Sequence, residues 1–185
     1  MQLLFELLRN KVGSTISYQS LAEDVSISPT TVKKYIQILE ALYIIFRVTP
    51  YSKNIARSLL KEPKIYFFDT GLVEGDDGAK LENLVALSLL KHVCGKLDKL
   101  AEKYKLHYLR TKEGFEVDFC LVKKAQIEKI IEVKSSDNKL SKYLKYFHEK
   151  YNIPAIQIVK NLKNEYQLNN IKILKIEKYL ASLYY

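Results

Sequence analysis

The sequence predicts a mixed α/β chain (α+β in arrangement) built as two successive modules. Three observations carry this. The hydrophobic period changes from 3.6 to 2 near residue 42. A polar stretch at 74–80, with Gly75-Asp76-Asp77-Gly78, then breaks the apolar pattern. Beyond it the order helix, three strands, helix, strand, strand, helix implies a mixed sheet flanked by helices. The expected modules are residues 1–73 and 79–185.

The first module begins with a helix whose apolar face is Leu3, Leu4, Leu7 and Leu8. Ser17 is placed to cap a short helix over 18–24, with Leu21, Ala22 and Val25 facing inward. Ser28-Pro29 opens a third helix with a cap residue followed by proline at the first helical position. There Val32, Tyr35, Ile36, Leu39 and Tyr43 recur at helical spacing, which predicts one buried stripe. Residues 43–48 are β-branched and aromatic and run into Pro50; a second such run, 64–68, follows Pro63 and leads to the turn Asp69-Thr70-Gly71. Three helices followed by a hairpin around a basic connection predict a winged helix-turn-helix.

In the second module, 81–93 is apolar almost all round, which predicts a buried helix. Strands are expected at 106–110, 115–122 and 127–134. An amphipathic helix follows over 138–151, with Leu140, Tyr143, Leu144 and Phe147 on one side. Strands at 155–159 and 171–174 and a helix at 176–184 close the chain.

Composition narrows the function classes. Thirty Lys and Arg against 21 Asp and Glu give a net charge of +9, which draws a polyanion such as nucleic acid; a lysine-rich solvated surface without a partner is the alternative. Six Gly and four Pro argue against long disordered tracts. Cys94 and Cys120 lack metal-ligand spacing and lie in apolar runs, so buried, reduced thiols are expected. No apolar run reaches membrane-spanning length and no signal-peptide start is visible, so the cytoplasm is the expected compartment.

A helix-turn-helix offers the outer face of its second helix to the major groove. That face carries Thr30, Thr31, Lys33, Lys34 and Gln37, groups able to bond base edges or neutralise phosphates. The wing connection adds Lys53, Arg57, Lys61 and Lys64. DNA is the expected partner. Ile38 and Glu40 leave open a fold used for protein contacts instead.

The chemistry is concentrated in Phe115-Glu116-Val117-Asp118-Phe119 and Ile130-Ile131-Glu132-Val133-Lys134. Residues two apart on a strand share a face, so Glu116 and Asp118 point one way, as do Glu132 and Lys134. A tight connection around 123–126 would pair the strands and bring Asp118 beside Glu132 and Lys134. Two carboxylates in a half-buried patch repel, and a divalent cation relieves that cost. Mg²⁺ (or Mn²⁺) is expected, because it accepts few carboxylates, keeps waters and engages phosphate oxygens. Lys134 would orient the attacking water and steady charge on a phosphate. Glu82 lies on the buried helix beside Val85, Ala86 and Leu89, where a carboxylate calls for a cation or Lys134. The alternative is an exposed cross-strand ion pair, with Glu82 only complementing its helix dipole.

The order Glu82, Asp118, Glu132-x-Lys134 resembles the restriction-endonuclease-like, or PD-(D/E)XK, phosphodiesterases. More closely, the chain resembles the C-terminal region of prokaryotic AAA-type ATPases of poorly defined role, in which a winged helix precedes a nuclease-like domain. The resemblance rests on Val32–Glu40, Pro63–Leu72, Leu81–Asn83, Tyr108–Thr111, Glu116–Phe119 and Ile131–Lys134. It implies a restriction-endonuclease-like mixed sheet, with Glu82, Asp118, Glu132 and Lys134 at the metal and catalytic positions and Glu116 and Arg110 as companions. The phosphate-binding pattern G-x-x-x-x-G-K-[ST] is missing; Gly95-Lys96 is followed by Leu97. No nucleotide binding is therefore expected from this chain alone. The expected function is DNA binding with a metal-dependent nuclease-like domain. A non-catalytic accessory module that positions DNA or a partner for an ATPase, and a pure protein-interaction module, are the alternatives. His92, His107 and His148 share no motif, and the 14 tyrosines are expected mainly to pack.

Overall fold

A computed structural model describes residues 1–52, 62–136 and 139–183 as a mixed α/β protein. The chain divides into two compact units, Met1–Leu87 and Ser88–Tyr185.

The first unit opens with α1 (Gln2–Asn10), α2 (Tyr18–Asp24) and α3 (Pro29–Ala41). Both predicted caps form: Ser17 Oγ accepts the Ser20 N–H, and Ser28 Oγ accepts the Thr31 N–H at 3.1 Å. Leu4, Leu8, Leu21, Ala22, Val32, Ile36 and Leu39 are buried. Leu3, predicted on the apolar face, is 56% exposed, because the buried stripe of so short a helix takes only the i, i+4 pair Leu4 and Leu8. Tyr43 also departs from its predicted place, at 74% exposed with φ 55°. The helix stops two residues earlier in a Schellman closure, with Ile44 N–H donating to Leu39 O and Tyr43 N–H to Glu40 O. The following strand therefore starts later than expected, as β1 (Ile45–Pro50), and pairs antiparallel with β2 (Lys64–Phe67). Lys53, Arg57 and Lys61 lie outside the described residues.

The helix predicted over 81–93 is longer, as α4 (Asp77–Leu100). Asp76 Oδ1 accepts the Ala79 N–H at 2.8 Å, so the acidic stretch predicted as a break caps the helix instead. Leu81, Val85, Ala86 and Leu89 are buried, but exposure rises beyond them. Cys94 is exposed, contrary to expectation, because the turns past Leu89 leave the core; Cys120 is buried as expected.

The second unit continues with β3 (Tyr104–Arg110), β4 (Glu116–Lys123), β5 (Gln126–Ser136), α5 (Lys142–Tyr151), β6 (Ala155–Asn161), β7 (Tyr166–Leu168), β8 (Ile171–Lys175) and α6 (Ile176–Ala181). Its strands follow the order β3-β4-β5-β6-β8-β7. The β3–β4, β4–β5 and β7–β8 pairs are antiparallel, whereas β5–β6 and β6–β8 are parallel, so the sheet is mixed as predicted. Strand β7 escaped prediction because its three residues are all exposed. Leu140 precedes α5 rather than lying on it, since Ser141 caps the helix by accepting the Leu144 N–H. Among the described residues no helix is long and apolar enough to cross a membrane.

Candidate functional site

Strands β4 and β5 meet through the two-residue turn Lys124-Ala125, both at positive φ (48° and 60°), between the paired Lys123 and Gln126. This is the backbone of a type I′ turn, whose twist suits a hairpin. A register shift between Leu121 and Val122 follows, and then Phe119 pairs with Ile131. One step further along, Asp118 stands opposite Glu132, on the face away from buried Val117, Phe119 and Ile131. The strand periodicity thus places the two acids as predicted.

Their environments differ. Asp118 Oδ2 accepts the Val133 N–H at 2.9 Å, which holds the carboxylate against the next strand. Glu132 is only 6% exposed. Its Oε1 faces Lys134 Nζ at 2.7 Å, while Oε2 is buried without a hydrogen-bond partner among the described residues. Burial, reinforced by the Asp118 charge, pushes the Glu132 carboxyl up to about 7, against the opposing pull of Lys134 and Ser141. Lys134 keeps its side chain 41% exposed, so its amine reaches solvent from beside the buried acid.

Two further residues, Gln157 and Ser141, build this site and were not singled out from the sequence. Gln157 on β6 pairs in register with Glu132 and is fully buried. Its Oε1 accepts the Ser141 N–H at 2.8 Å and its Nε2 donates to Lys139 O at 3.3 Å, which ties the start of α5 to the sheet. A lone amide within the apolar run Ala155-Ile156-Gln157-Ile158-Val159 was the available signal. Arg110 and Glu116 pair across β3 and β4, with Arg110 Nη1 3.2 Å from Glu116 Oε2.

Glu82 stands in the first unit with partners of its own. The Tyr66 hydroxyl donates to Glu82 Oε1 at 2.6 Å, and Lys64 Nζ lies 3.4 Å from the same oxygen. A Cβ on Gly13, at φ 74°, would come within 2.9 Å of both carboxylate oxygens, so only glycine fits there. Lys64 is 1% exposed and engaged with Glu82; its predicted place in a basic wing connection is corrected, because its side chain points into the core. The next residue over, Asn83, brackets Phe67, accepting its N–H at 2.7 Å and donating to its carbonyl at 3.0 Å. On α3, Thr30, Lys33, Lys34 and Gln37 are exposed, whereas the Thr31 hydroxyl lies 2.8 Å from Ser28 Oγ at the cap.

Among the described residues no group of three or more His, Cys, Asp or Glu side chains is arranged to hold a metal ion. The Asp118–Glu132 pair offers carboxylate oxygens, one of them orphaned. That donor set suits a hard divalent cation which retains most of its waters.

Residues 1–77 match a domain of unknown function (DUF8612), and residues 77–179 match a second (DUF4143), which takes in the whole Asp118–Glu132–Lys134 site. The chain belongs to the DUF4143 family. Uncharacterized proteins of Mycobacterium tuberculosis and Mycobacterium bovis are each 30% identical to it over 124 residues. That match takes in 64% of this chain but only 28% of either mycobacterial protein, so the chain spans less than a third of these relatives' length. No solved structure matches this DUF4143 member.

Proposed function

We propose that this chain is a DNA-binding protein in which Asp118, Glu132 and Lys134 form a magnesium-dependent phosphodiesterase site of the restriction-endonuclease-like kind. The observation that carries the reading is the buried Glu132 Oε2 beside Asp118, without a hydrogen-bond partner among the described residues, while Lys134 meets the other oxygen. Such a carboxylate is costly to keep in a core unless a cation completes it. When bound, Mg²⁺ supplies positive charge for the phosphate oxygens. The remaining work falls to this chain. Val133 N–H fixes the Asp118 rotamer, and the sheet seats Glu132 between β4 and β6 with Lys134 at its Oε1. Lys134, half in solvent, steadies charge that develops on the phosphate. The first unit, read as a winged helix, presents the exposed Thr30, Lys33, Lys34 and Gln37 to duplex DNA, in keeping with the net charge of +9.

The test is incubation of plasmid, branched and single-stranded DNA with the protein and Mg²⁺ or Mn²⁺. Cleavage by the wild type should fall about a hundredfold or more in Asp118→Ala and Lys134→Ala. Equal behaviour of wild type and Asp118→Ala sinks the enzymatic reading.

The length of the mycobacterial relatives favours a second reading, an accessory module that positions DNA or a partner for an AAA-type ATPase. It calls for salt-sensitive DNA binding with no cleavage and no metal dependence.

A further inference from the structure

A row of rings and ammonium groups runs along α5 from the edge of the candidate site. Phe115, three residues before Asp118, stacks on Tyr143 with ring centroids 5.0 Å apart and planes at 23°, and meets Tyr146 edge-on at 5.2 Å. Lys142 Nζ lies over the Tyr143 ring at 4.8 Å, and Lys150 Nζ donates to the Tyr146 hydroxyl at 2.6 Å, at that ring's edge and 5.0 Å from its centroid. Both lysines are exposed, and the three rings are partly so. Lys142, Tyr146 and Lys150 recur every four residues, so they line one face over about 12 Å. The apolar side of the helix is separate, with Leu144 and Phe147 buried. The near end of the row is tied to the site twice. Phe115 leads into β4, and Lys142 follows Ser141, the residue beside Glu132 that Gln157 ties down.

We propose that Phe115, Tyr143, Tyr146, Lys142 and Lys150 form a stacking platform that receives the unpaired bases of a single-stranded nucleic acid and leads its backbone toward Asp118 and Glu132. This rests on the phosphodiesterase reading and names its substrate class. Aromatic rings accept any base by its flat face, and a nearby ammonium meets the phosphates between bases. Lys142 over the Tyr143 ring occupies the place a base takes, and the long stems of Lys142 and Lys150 let their ammonium groups swing aside to a phosphate. Duplex DNA hides its base faces and has no use for the rings.

The decisive measurement is anisotropy of a fluorescein-labelled oligo(dT) in EDTA, with full-length protein in a Lys33→Ala/Lys34→Ala background that removes the α3 contribution. Tyr143→Leu, which preserves packing on Phe115 but removes the ring, should weaken binding about fivefold or more. Lys142→Ala/Lys150→Ala should flatten the plot of log affinity against log salt by about 1.4, roughly 0.7 per phosphate contact. Neither change should weaken binding of a blunt duplex to protein with an intact α3. Unchanged oligo(dT) affinity in both variants, with melting temperatures like the parent's, overturns the platform, and so does an equal loss of duplex binding. Because EDTA removes divalent ions, the result is independent of catalysis. Ring-dependent binding without Mn²⁺-dependent cleavage would sink the phosphodiesterase reading and leave the platform standing.

Discussion

Each unit sets a glutamate beside a lysine, and the two divide burial in opposite ways. In the first, the Lys64 side chain is 2% exposed and Glu82 is 20% exposed. In the second, Lys134 is 41% exposed and Glu132 is 7% exposed. Where the amine is the buried partner, it and the Tyr66 hydroxyl converge on one oxygen of the acid, a structural lock for a charge that is costly to bury. Where the acid is the buried partner and the amine reaches solvent, one carboxylate oxygen is left over. The same two residue types thus make a brace in one unit and an unfinished site in the other.

The comparison breaks most visibly at Glu82. Glu82→Ala takes the carboxylate away from a buried ammonium, and the first unit should lose about 3–5 kcal/mol. The double change Lys64→Met/Glu82→Leu removes both charges and should recover most of that loss. Urea unfolding followed by circular dichroism measures both. A double variant as unstable as the single would show that the charge pair is not what braces this unit.

Glu132→Gln should act in the reverse direction. The folded-state value of about 7 lies above the ordinary 4.5, so between those pH values the folded chain binds more protons than the unfolded one. Stability therefore declines as pH rises through that window and is lowest above it, by about 3 kcal/mol. In EDTA the wild-type melting temperature should fall from pH 5 to pH 8, and Glu132→Gln should flatten that slope and melt higher at pH 8. Added Mg²⁺ should restore the wild type at pH 8 more than at pH 5. A wild-type slope matching that of Glu132→Gln would remove the case for a buried, strained acid.

How far these features were legible beforehand depends on the range over which each is determined. Asp118 opposite Glu132 was legible, because a period of two assigns faces and a short turn assigns partners. The caps at Ser17 and Ser28 were legible for the same local reason. Tyr43 was not: a Schellman closure usually advertises itself with glycine, and here the left-handed position is filled by tyrosine. The Lys64–Glu82 brace was hidden because a lysine at the first position of a strand reads as the end of a solvated basic connection until packing turns it inward. Gln157 and Ser141 were missed because their role is to hold one element against another, which no single strand or helix encodes.

The finest test of the comparison lies in the hairpin that carries Glu132. Lys124 and Ala125 both adopt positive φ, a conformation that side chains with a Cβ enter at a cost and that Asn-Gly enters readily. Lys124→Asn/Ala125→Gly should therefore stabilise the β4–β5 pair by about 1 kcal/mol or less, part of the gain being offset by glycine's greater freedom when unfolded. Native-state amide exchange should slow at Phe119, Leu121, Lys129 and Ile131, and remain unchanged at Ile65 and Phe67 on the first unit's strand pair. Slowing at both sets would mean that the two units open together, and the brace and the unfinished site could not then be treated as separately tunable.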